Sequence, residues 1–229
     1  MMNDPDCKRC DKISCAASNL NPTELALQNS TCRIATINAG DIILPEGSLT
    51  SHIIYLRSGL VKEFQKTANH TGEYIINIIK EKTYLGLPSL FGDRYNHYSY
   101  TALTEASICY IDHEIFKDLL ISNGQFGYKI LETVSRESLN TYHRFVSQHQ
   151  KKIFGKVADM LLYFSKHIYN SNSFYLHLSR NELSYLIGTS RESVSKQLAQ
   201  FNSEGIIAMK GRTITIIKAL ELERISKFG

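Results

Sequence analysis

The chain has 229 residues, with 26 Lys and Arg against 22 Asp and Glu and a hydrophobic content of 43%. This length favours two domains. The composition excludes an intrinsically disordered chain, because it lacks the polar bias of such sequences. The sequence contains no apolar leader and no apolar run of about 18 residues, so we expect a cytoplasmic protein that enters no membrane. From residue 151 onward, 12 basic residues stand against 6 acidic ones, which favours a polyanionic partner.

Residues 34–111 consist of short apolar and β-branched runs separated by turn sequences such as Pro45-Glu46-Gly47 and Arg57-Ser58-Gly59. Turns at this spacing predict an antiparallel sandwich or roll of about eight strands. The remainder of the chain follows helical patterns. The predicted fold class is therefore α+β, with an N-terminal antiparallel β-roll.

After Asp112, a predicted helix cap, apolar residues follow a helical spacing that breaks at Asn123-Gly124. A long helix is predicted over residues 123–150, and its apolar stripe is too long for one small domain to cover. We expect the stripe to pair with a second copy, the alternative being burial against the chain's own roll. Its members are Phe126, Ile130, Val134, Ser138, Tyr142 and Phe145.

A polar run at residues 148–152 interrupts this stripe and predicts a hinge. A second helical segment, Ile153–Tyr169, and a short strand from Phe174 to Leu178 follow it. The chain is thus divided into a cysteine-containing segment, a β-roll domain, a dimerisation helix and a C-terminal domain, over residues 1–22, 23–122, 123–150 and 151–229.

Two short helices are predicted in the last segment. Ser179 and Glu182 form a capping-box pattern at the start of the first helix, and Gly188 ends it. The second helix is predicted from Arg191 to Asn202. Two short helices joined by a tight glycine turn are typical of a helix-turn-helix.

In such a unit the first turn of the second helix enters the major groove. The side chains predicted to read guanine and cytosine edges there are Arg191, Glu192, Ser195 and Lys196. A hairpin turning at Gly211 follows as a basic wing. The residues predicted to contact phosphate are Ser179, Arg180, Ser190, Ser193, Lys210 and Arg212.

One enzyme-like motif competes with this interpretation. Ser193-Val194-Ser195-Lys196 matches the S-x-x-K of penicillin-interacting enzymes, but the partner motifs S-D-N and K-T-G are absent from the sequence. We therefore expect no enzymatic activity. The alternative function is a module whose roll binds a small ligand and whose basic C-terminal domain packs without binding DNA.

The order of roll, long helix and winged helix-turn-helix resembles the CRP/FNR family of bacterial transcription regulators, over about Cys32 to Leu220. The segment Thr189–Lys196 is the most specific part. The resemblance implies base reading by Arg191, Glu192 and Lys196, although family members commonly carry arginine at the last position. It also implies a homodimer on a pseudo-palindromic double-stranded DNA site, with RNA polymerase as a partner.

The cAMP-binding members of this family carry Gly-Glu and, about ten residues later, Arg-Ser. This chain has Gly86-Leu87 and then Asn96-His97-Tyr98-Ser99. Without the carboxylate and the cation, nothing pairs with the polar groups of the nucleotide, so we do not expect cAMP binding. A filled or apolar effector pocket is predicted instead, formed by Tyr84, Gly86, Leu87, Pro88, Tyr98 and Ser99.

Cys7, Cys10 and Cys15 form a C-x2-C-x4-C cluster, which in a cytoplasmic protein argues for metal or redox chemistry. The oxygen-sensing members of the family hold an iron–sulfur cluster with three N-terminal cysteines and one from the last strand of the roll, where Cys109 lies. Their second spacing is one residue longer than in this chain. Zinc and free thiols are the alternatives, and Cys32 is expected to be an ordinary buried residue.

Overall fold

The computed structural model describes residue 14, residues 16–67 and residues 72–229. The chain divides into two compact units. The first comprises residues 1–65 and 78–140, and the second comprises residues 66–77 and 141–229. Over the described ranges, no helix is both long and apolar enough to cross a membrane.

Eight strands form the roll, which confirms the predicted antiparallel β-roll and the α+β class, and all of them except the end of β4 and the first part of β5 lie in the first unit. The strands belong to two four-stranded sheets with the orders β1-β8-β3-β6 and β2-β7-β4-β5. Their bounds are β1 Arg33–Ile37, β2 Ile42–Leu44, β3 His52–Ser58, β4 Leu60–Lys66, β5 Glu73–Lys80, β6 Thr83–Leu85, β7 Ser99–Ala102 and β8 Ala106–Asp112.

Four helices accompany the roll: α1 Pro22–Thr31, α2 Leu87–Gly92, α3 His113–Ser122 and α4 Gly124–Gln150. The predicted cap of α3 is confirmed, since the Asp112 carboxylate accepts hydrogen bonds from the amides of Glu114 and Ile115. Helix α1 was not expected. Asn21 and Glu24 nevertheless form a reciprocal capping box around its first turn, and Asn-Pro-x-Glu was the available signal.

One core of the first unit lies between the β1-β8-β3-β6 sheet and the helices. Tyr84, Tyr55 and Cys109 are paired across three neighbouring strands of this sheet, so they form a row on one face. The residues packed with this row include Ala16, Leu20, Phe116, Phe126 and Ile130. The start of α4 is therefore held on the roll of its own chain.

The predicted stripe of α4 does not lie on one face. Phe126 and Ile130 are buried in the core of the roll, whereas Tyr142 and Phe145 are 66% and 61% exposed. Since an α-helix has about 3.6 residues per turn, each step of four residues overshoots a full turn by roughly 40°. The stripe drifts round the helix for this reason, so its first part packs against the chain's own roll while its last part is exposed.

Helix α4 instead has a second apolar face, on the side opposite Phe126 and Ile130. The exposed fractions of its large side chains lie between 48% and 70%. These residues lie on one side of the helix in two groups separated by eight residues, Tyr128 and Leu131 first and then Leu139, Tyr142, Phe145 and Val146. This set is called the outer face of α4.

The second unit contains a three-stranded sheet of order β10-β11-β9 and four helices. A π-helical turn, Phe164–Ile168, continues α5 and completes the predicted helical segment, while the strand predicted from Phe174 to Leu178 ends at Tyr175. The bounds are α5 Ile153–Tyr163, β9 Ser173–Tyr175, α6 Arg180–Ile187, α7 Arg191–Ser203, β10 Ile207–Lys210, β11 Thr213–Ile216 and α8 Ala219–Phe228.

The predicted hinge between α4 and α5 is short, and hydrogen bonds and an ion pair hold the residues beside it. The Asp159 carboxylate of α5 accepts hydrogen bonds from Ser147 at 2.6 Å and Ser226 at 2.8 Å, and it lies 3.0 Å from the Lys151 ammonium. Burial alone would raise the pKa of Asp159, but these donors and the charge of Lys151 lower it. One carboxylate thus joins the end of α4, α5 and α8.

Replacing Asp159 by asparagine is expected to destabilise the protein by about 1 kcal/mol at pH 7, after a discount for the solvent that screens this partly exposed group. Because the folded state lowers the pKa, its contribution is present above the unfolded value near 3.9 and is lost as pH falls through the folded value. Urea unfolding of both proteins at pH 7 and at pH 3.5 measures this. Glu223→Gln, at an exposed pair with Lys166, is the control and should change stability by less than about 0.5 kcal/mol. An equal loss at both pH values would contradict the assignment.

Candidate nucleic-acid interface

Helices α6 and α7 form the predicted helix-turn-helix. The capping box is confirmed, since Ser179 Oγ accepts from the Glu182 amide and Glu182 Oε2 accepts from the Ser179 amide. Gly188 ends α6 with φ 62°, a conformation that disfavours residues with a Cβ atom. Ser190 then caps α7 by accepting a hydrogen bond from the amide of Ser193.

Helix α7 separates a buried face from a polar one. Val194, Leu198 and Phe201 are at most 2% exposed, while Arg191 and Lys196 lie in solvent. The predicted base-reading residues therefore occupy the accessible side of the helix, with Arg191 and Glu192 in its first turn. Among the described residues, no hydrogen bond or ion pair occupies the side chains of Arg191, Glu192 or Lys196.

Ser195 differs from the other three base-reading candidates. Its hydroxyl donates a hydrogen bond to the backbone carbonyl of Arg191 at 2.9 Å. A serine that donates back into its own helix retains only acceptor capacity. Ser195 could thus accept a hydrogen bond from an exposed base amino group, whereas donation requires it to release Arg191.

The serines predicted to contact phosphate are engaged in helix caps. Ser179 Oγ also donates to Glu182 at 2.9 Å, and Ser190 Oγ donates to Ser193 Oγ at 3.0 Å. Both serines mark helix N-termini, whose amides favour anions. On the wing, Lys210 and Arg212 flank Gly211 at the exposed turn between β10 and β11, as predicted.

Arg180 and Arg212 form a pair of like charges at the wing. Arg180 is partly buried beside Met209, with Nη2 3.7 Å from the thioether sulfur, and its Nη1 is buried without a hydrogen-bond partner among the described atoms. Burial and the charge of Arg212 lower the pKa of Arg180. Arg212 donates to the carbonyl of His177 at 3.2 Å. The guanidinium group of Arg180 is therefore partly desolvated and feels the like charge of Arg212.

The six residues predicted to form an effector pocket are not brought together. Tyr84 and Leu87 are buried in the core beneath α4, where the Tyr84 hydroxyl hydrogen-bonds Ser14 at 2.7 Å. Tyr98 packs against the other core, between the two sheets, and Ser99 Oγ accepts from the amide of Glu46. Gly86 is buried at the start of α2, and Pro88 is exposed. Of the two options left open for this pocket, filled or apolar, the contacts of Tyr84 favour a filled one.

The cysteines are distributed differently from the expectation. Cys7, Cys10 and Cys15 lie outside the described residues. Cys109 is 5% exposed on β8 and forms a disulfide with Cys32, so Cys32 is not the ordinary buried residue predicted. The described part of the chain contains no group of three or more His, Cys, Asp or Glu able to hold a metal ion. In this form the Cys109 sulfur is not available as a thiolate ligand.

Sequence reasoning missed an acidic group between the roll and α4. Tyr100 donates a hydrogen bond to Glu63 at 2.6 Å, and burial together with Glu63 raises the pKa of Tyr100. Glu137 of α4 lies nearby, and burial and the charge of Glu63 raise its pKa to about 7. No motif marks these residues, because β4, β7 and α4 are far apart in the sequence.

We expect Glu137→Gln to stabilise the protein at pH 8.5 by about 2 kcal/mol and to have little effect at pH 5. Because the folded pKa is raised, the wild-type contribution is complete below the unfolded value near 4.5 and is lost as pH rises through 7. Chemical unfolding at both pH values measures the difference. Glu132→Gln is the matched control on the same helix, since Lys129 and Arg136 lower the pKa of Glu132 and reverse the sign. The prediction is contradicted if the free energy of unfolding of the wild type increases relative to that of the Glu137→Gln protein between pH 5 and pH 8.5.

Comparisons with known proteins agree with this architecture. The cyclic nucleotide-binding domain family matches residues 34–123, and the Crp-like helix-turn-helix domain family matches residues 155–225. The chain belongs to the CRP/FNR family of transcription regulators. It is a DNA-binding transcription regulator of this type.

Individual relatives are similar along most of the chain. The transcriptional activator protein FnrA of Stutzerimonas stutzeri is 24% identical over 94% of this chain and 90% of its own length. The transcriptional activator protein Anr of Pseudomonas protegens is 25% identical over 96% and 92%. FixK2 from Bradyrhizobium japonicum shares the fold, with a TM-score of 0.78 and 16% identity over 85% of this chain and 96% of its own.

Proposed function

We propose that this CRP/FNR-family regulator works as a homodimer in which two copies of α4 pair through their outer faces. The observation that carries the proposal is a set of large apolar side chains, 48–70% exposed, on one side of a helix whose opposite side is buried near its start. Monomeric proteins rarely expose large apolar patches, so this side of α4 indicates a partner. A two-fold dimer has two α7 helices, one for each half-site of a pseudo-palindromic site.

The first turn of α7 is proposed to read base edges in each half-site. Arg191 supplies a planar fork for guanine O6 and N7, and Glu192 supplies an acceptor for the cytosine amino group. Lys196 lies one turn further along and is a point charge, so its base preference is weaker than that of an arginine. Glu192 and Lys196 lie on the side of α7 opposite Val194 and Leu198, and Arg191 is exposed at the start of the helix, which supports this assignment.

The wing is proposed to hold a backbone phosphate between Arg180 and Arg212. The buried and unsatisfied Nη1 of Arg180 and the repulsion between the two guanidinium groups support an anion at this point. A phosphate would satisfy the donor and relieve the repulsion, while carrying no sequence information. Lys210 and the capped N-termini of α6 and α7 are further candidate phosphate contacts.

Selection from a random duplex library with the purified protein tests the proposal. We expect an enriched pseudo-palindrome with half-sites about one helical turn apart. With three phosphate contacts per copy, and thus six per dimer, we expect a plot of log affinity against log salt concentration to have a slope of about −5. Arg212→Ala removes one contact from each copy and should make the slope less steep by about 2. If the protein is instead a small-ligand-binding module that does not bind DNA, we expect no enriched DNA sequence and no salt-dependent complex.

We infer further that the DNA-bound dimer acts on RNA polymerase. FnrA and Anr, which are similar to this chain along most of its length, are transcriptional activator proteins by name. Transcription in vitro from a promoter that carries the selected site, with and without the protein, tests this part. A change in transcript level supports it, and an unchanged level at saturating protein contradicts it.

The signal is proposed to enter through the N-terminal cysteines rather than through a nucleotide in the roll. Ser14 and Ala16, on either side of Cys15 in the sequence, are buried, and Ala16 packs in the core that contains Cys109. Iron, sulfide and zinc are measured per chain after strictly anaerobic purification. About four irons with matching sulfide, lost in air, support a cluster on Cys7, Cys10, Cys15 and Cys109, and zinc alone makes these cysteines structural. A chain without any metal contradicts both.

A further inference from the structure

We propose that Cys32 and Cys109 are a reversible thiol/disulfide couple, a redox site separate from the N-terminal cysteines. The two residues are 77 positions apart in the sequence, yet their Cα atoms are 5.9 Å apart, within the range that a disulfide requires. Cys32 follows α1 directly, and its neighbour but one, Ile34, is paired with Cys109 in the β1–β8 register. The fold of the roll therefore fixes both sulfurs at bonding distance.

The two cysteines differ in their access to solvent. Cys109 is 5% exposed and lies in the row with Tyr55 and Tyr84, under α3 and α4. Cys32 is only partly buried, at the end of α1. An oxidant in solution therefore reaches Cys32 first, which makes Cys32 the attacking thiol and Cys109 the resolving thiol.

A peroxide is the proposed oxidant, and the reaction with it is balanced. The Cys32 thiolate attacks one peroxide oxygen, so an S–O bond forms, the O–O bond breaks, and hydroxide leaves and is protonated to water. The Cys109 thiolate then attacks the Cys32 sulfur, so the S–S bond forms, the S–O bond breaks, and the leaving hydroxide is protonated to a second water. Two thiols lose two electrons and two protons, and a low-molecular-weight dithiol returns them by exchange.

This redox couple affects one part of the proposed function, the iron–sulfur cluster that would include Cys109. Only this consequence of the inference rests on the proposed function. The Cys109 sulfur cannot be a thiolate ligand while it is bonded to Cys32. The disulfide and any metal site that includes Cys109 are therefore mutually exclusive. In a reducing compartment the pair remains as thiols until an oxidant arrives, which is the usual situation for sensing disulfides.

The test uses the full-length chain with Cys7, Cys10 and Cys15 all replaced by serine, so that neither a cluster nor DNA binding influences the result. The protein is reduced, treated with hydrogen peroxide and alkylated with a maleimide after denaturation. We expect both remaining thiols to disappear on oxidation, with a mass loss of 2 Da, and to return with dithiothreitol. A Cys32–Cys109 cross-linked peptide should appear only in the oxidised sample. Because the bond closes a long loop, the thermal midpoint should rise by about 5 °C or more.

Two single variants in the same background complete the test. Cys109→Ser should leave Cys32 as a sulfenic or further oxidised acid, and Cys32→Ser should leave Cys109 reduced, because the buried thiol has no access to peroxide. Neither variant should show the rise in thermal midpoint. Peroxide that oxidises Cys32 while Cys109 stays alkylatable in the parent background, or a disulfide that dithiothreitol does not open in the folded protein, would overturn the proposal.

Discussion

Replacing Leu139 by glutamate is expected to convert the proposed dimer into a monomer and to weaken binding to the selected operator by about 100-fold or more. Leu139 lies in the middle of the outer face of α4 and is 57% exposed in the single chain, so the substitution leaves the core unchanged. In a dimer it would bury two like charges against each other. A monomer reaches one half-site at a time and loses the effective concentration that the second half-site provides.

Sedimentation equilibrium gives the mass, and fluorescence anisotropy with the selected duplex gives the affinity. Asn140→Glu is the matched control, because it adds the same charge at the next residue, which is exposed but lies away from the outer face. The control should remain a dimer with wild-type affinity. A Leu139→Glu protein that is still dimeric, with an unchanged circular dichroism spectrum, would locate the dimer interface elsewhere.

Arg191→Ala is expected to reduce affinity for the selected duplex by about 30-fold or more, while binding to unrelated DNA changes by less than about 3-fold. The expected loss follows from one bidentate guanine contact per half-site, each worth about 1–3 kcal/mol of discrimination. Arg191 begins α7 and is exposed, so the substitution removes no packing. Anisotropy titrations with both duplexes at one fixed salt concentration provide the comparison.

Lys227→Ala removes one positive charge from the exposed end of α8 and serves as the charge-matched control. It should affect both duplexes equally and by less than about 3-fold. Selection repeated with the Arg191→Ala protein should also show relaxed preference at one position of each half-site. An equal loss on both duplexes would instead make Arg191 a phosphate contact.

The helix-turn-helix could be predicted from the sequence because its signals are local. Ser179, Glu182, Gly188 and Ser190 each act within a few residues of their own position, through caps and a left-handed turn. The buried face of α7 follows from helical spacing alone. The alternation of turns likewise predicted the eight-stranded roll, because strand length and turn spacing are also local properties.

Features that depend on tertiary packing could not be predicted in this way. The disulfide partner of Cys109 depends on the β1–β8 register, which brings together residues 77 positions apart. Glu137 has an unremarkable sequence context, and its raised pKa arises only where α4 covers Glu63. The two faces of α4 were merged into one because steps of four residues were treated as exactly helical.

The arginine pair at the wing also affects the domain when no DNA is bound. Burial and the charge of Arg212 lower the pKa of Arg180, so the charged form of Arg180 is disfavoured in the free domain. Under the proposed phosphate contact, an anion beside the two guanidinium groups would offset this effect and would stabilise the native state by an amount that grows with the logarithm of its concentration. Folding of the wing and binding to a nucleic acid backbone would then be linked, and part of the affinity for DNA would come from relief of the repulsion between Arg180 and Arg212.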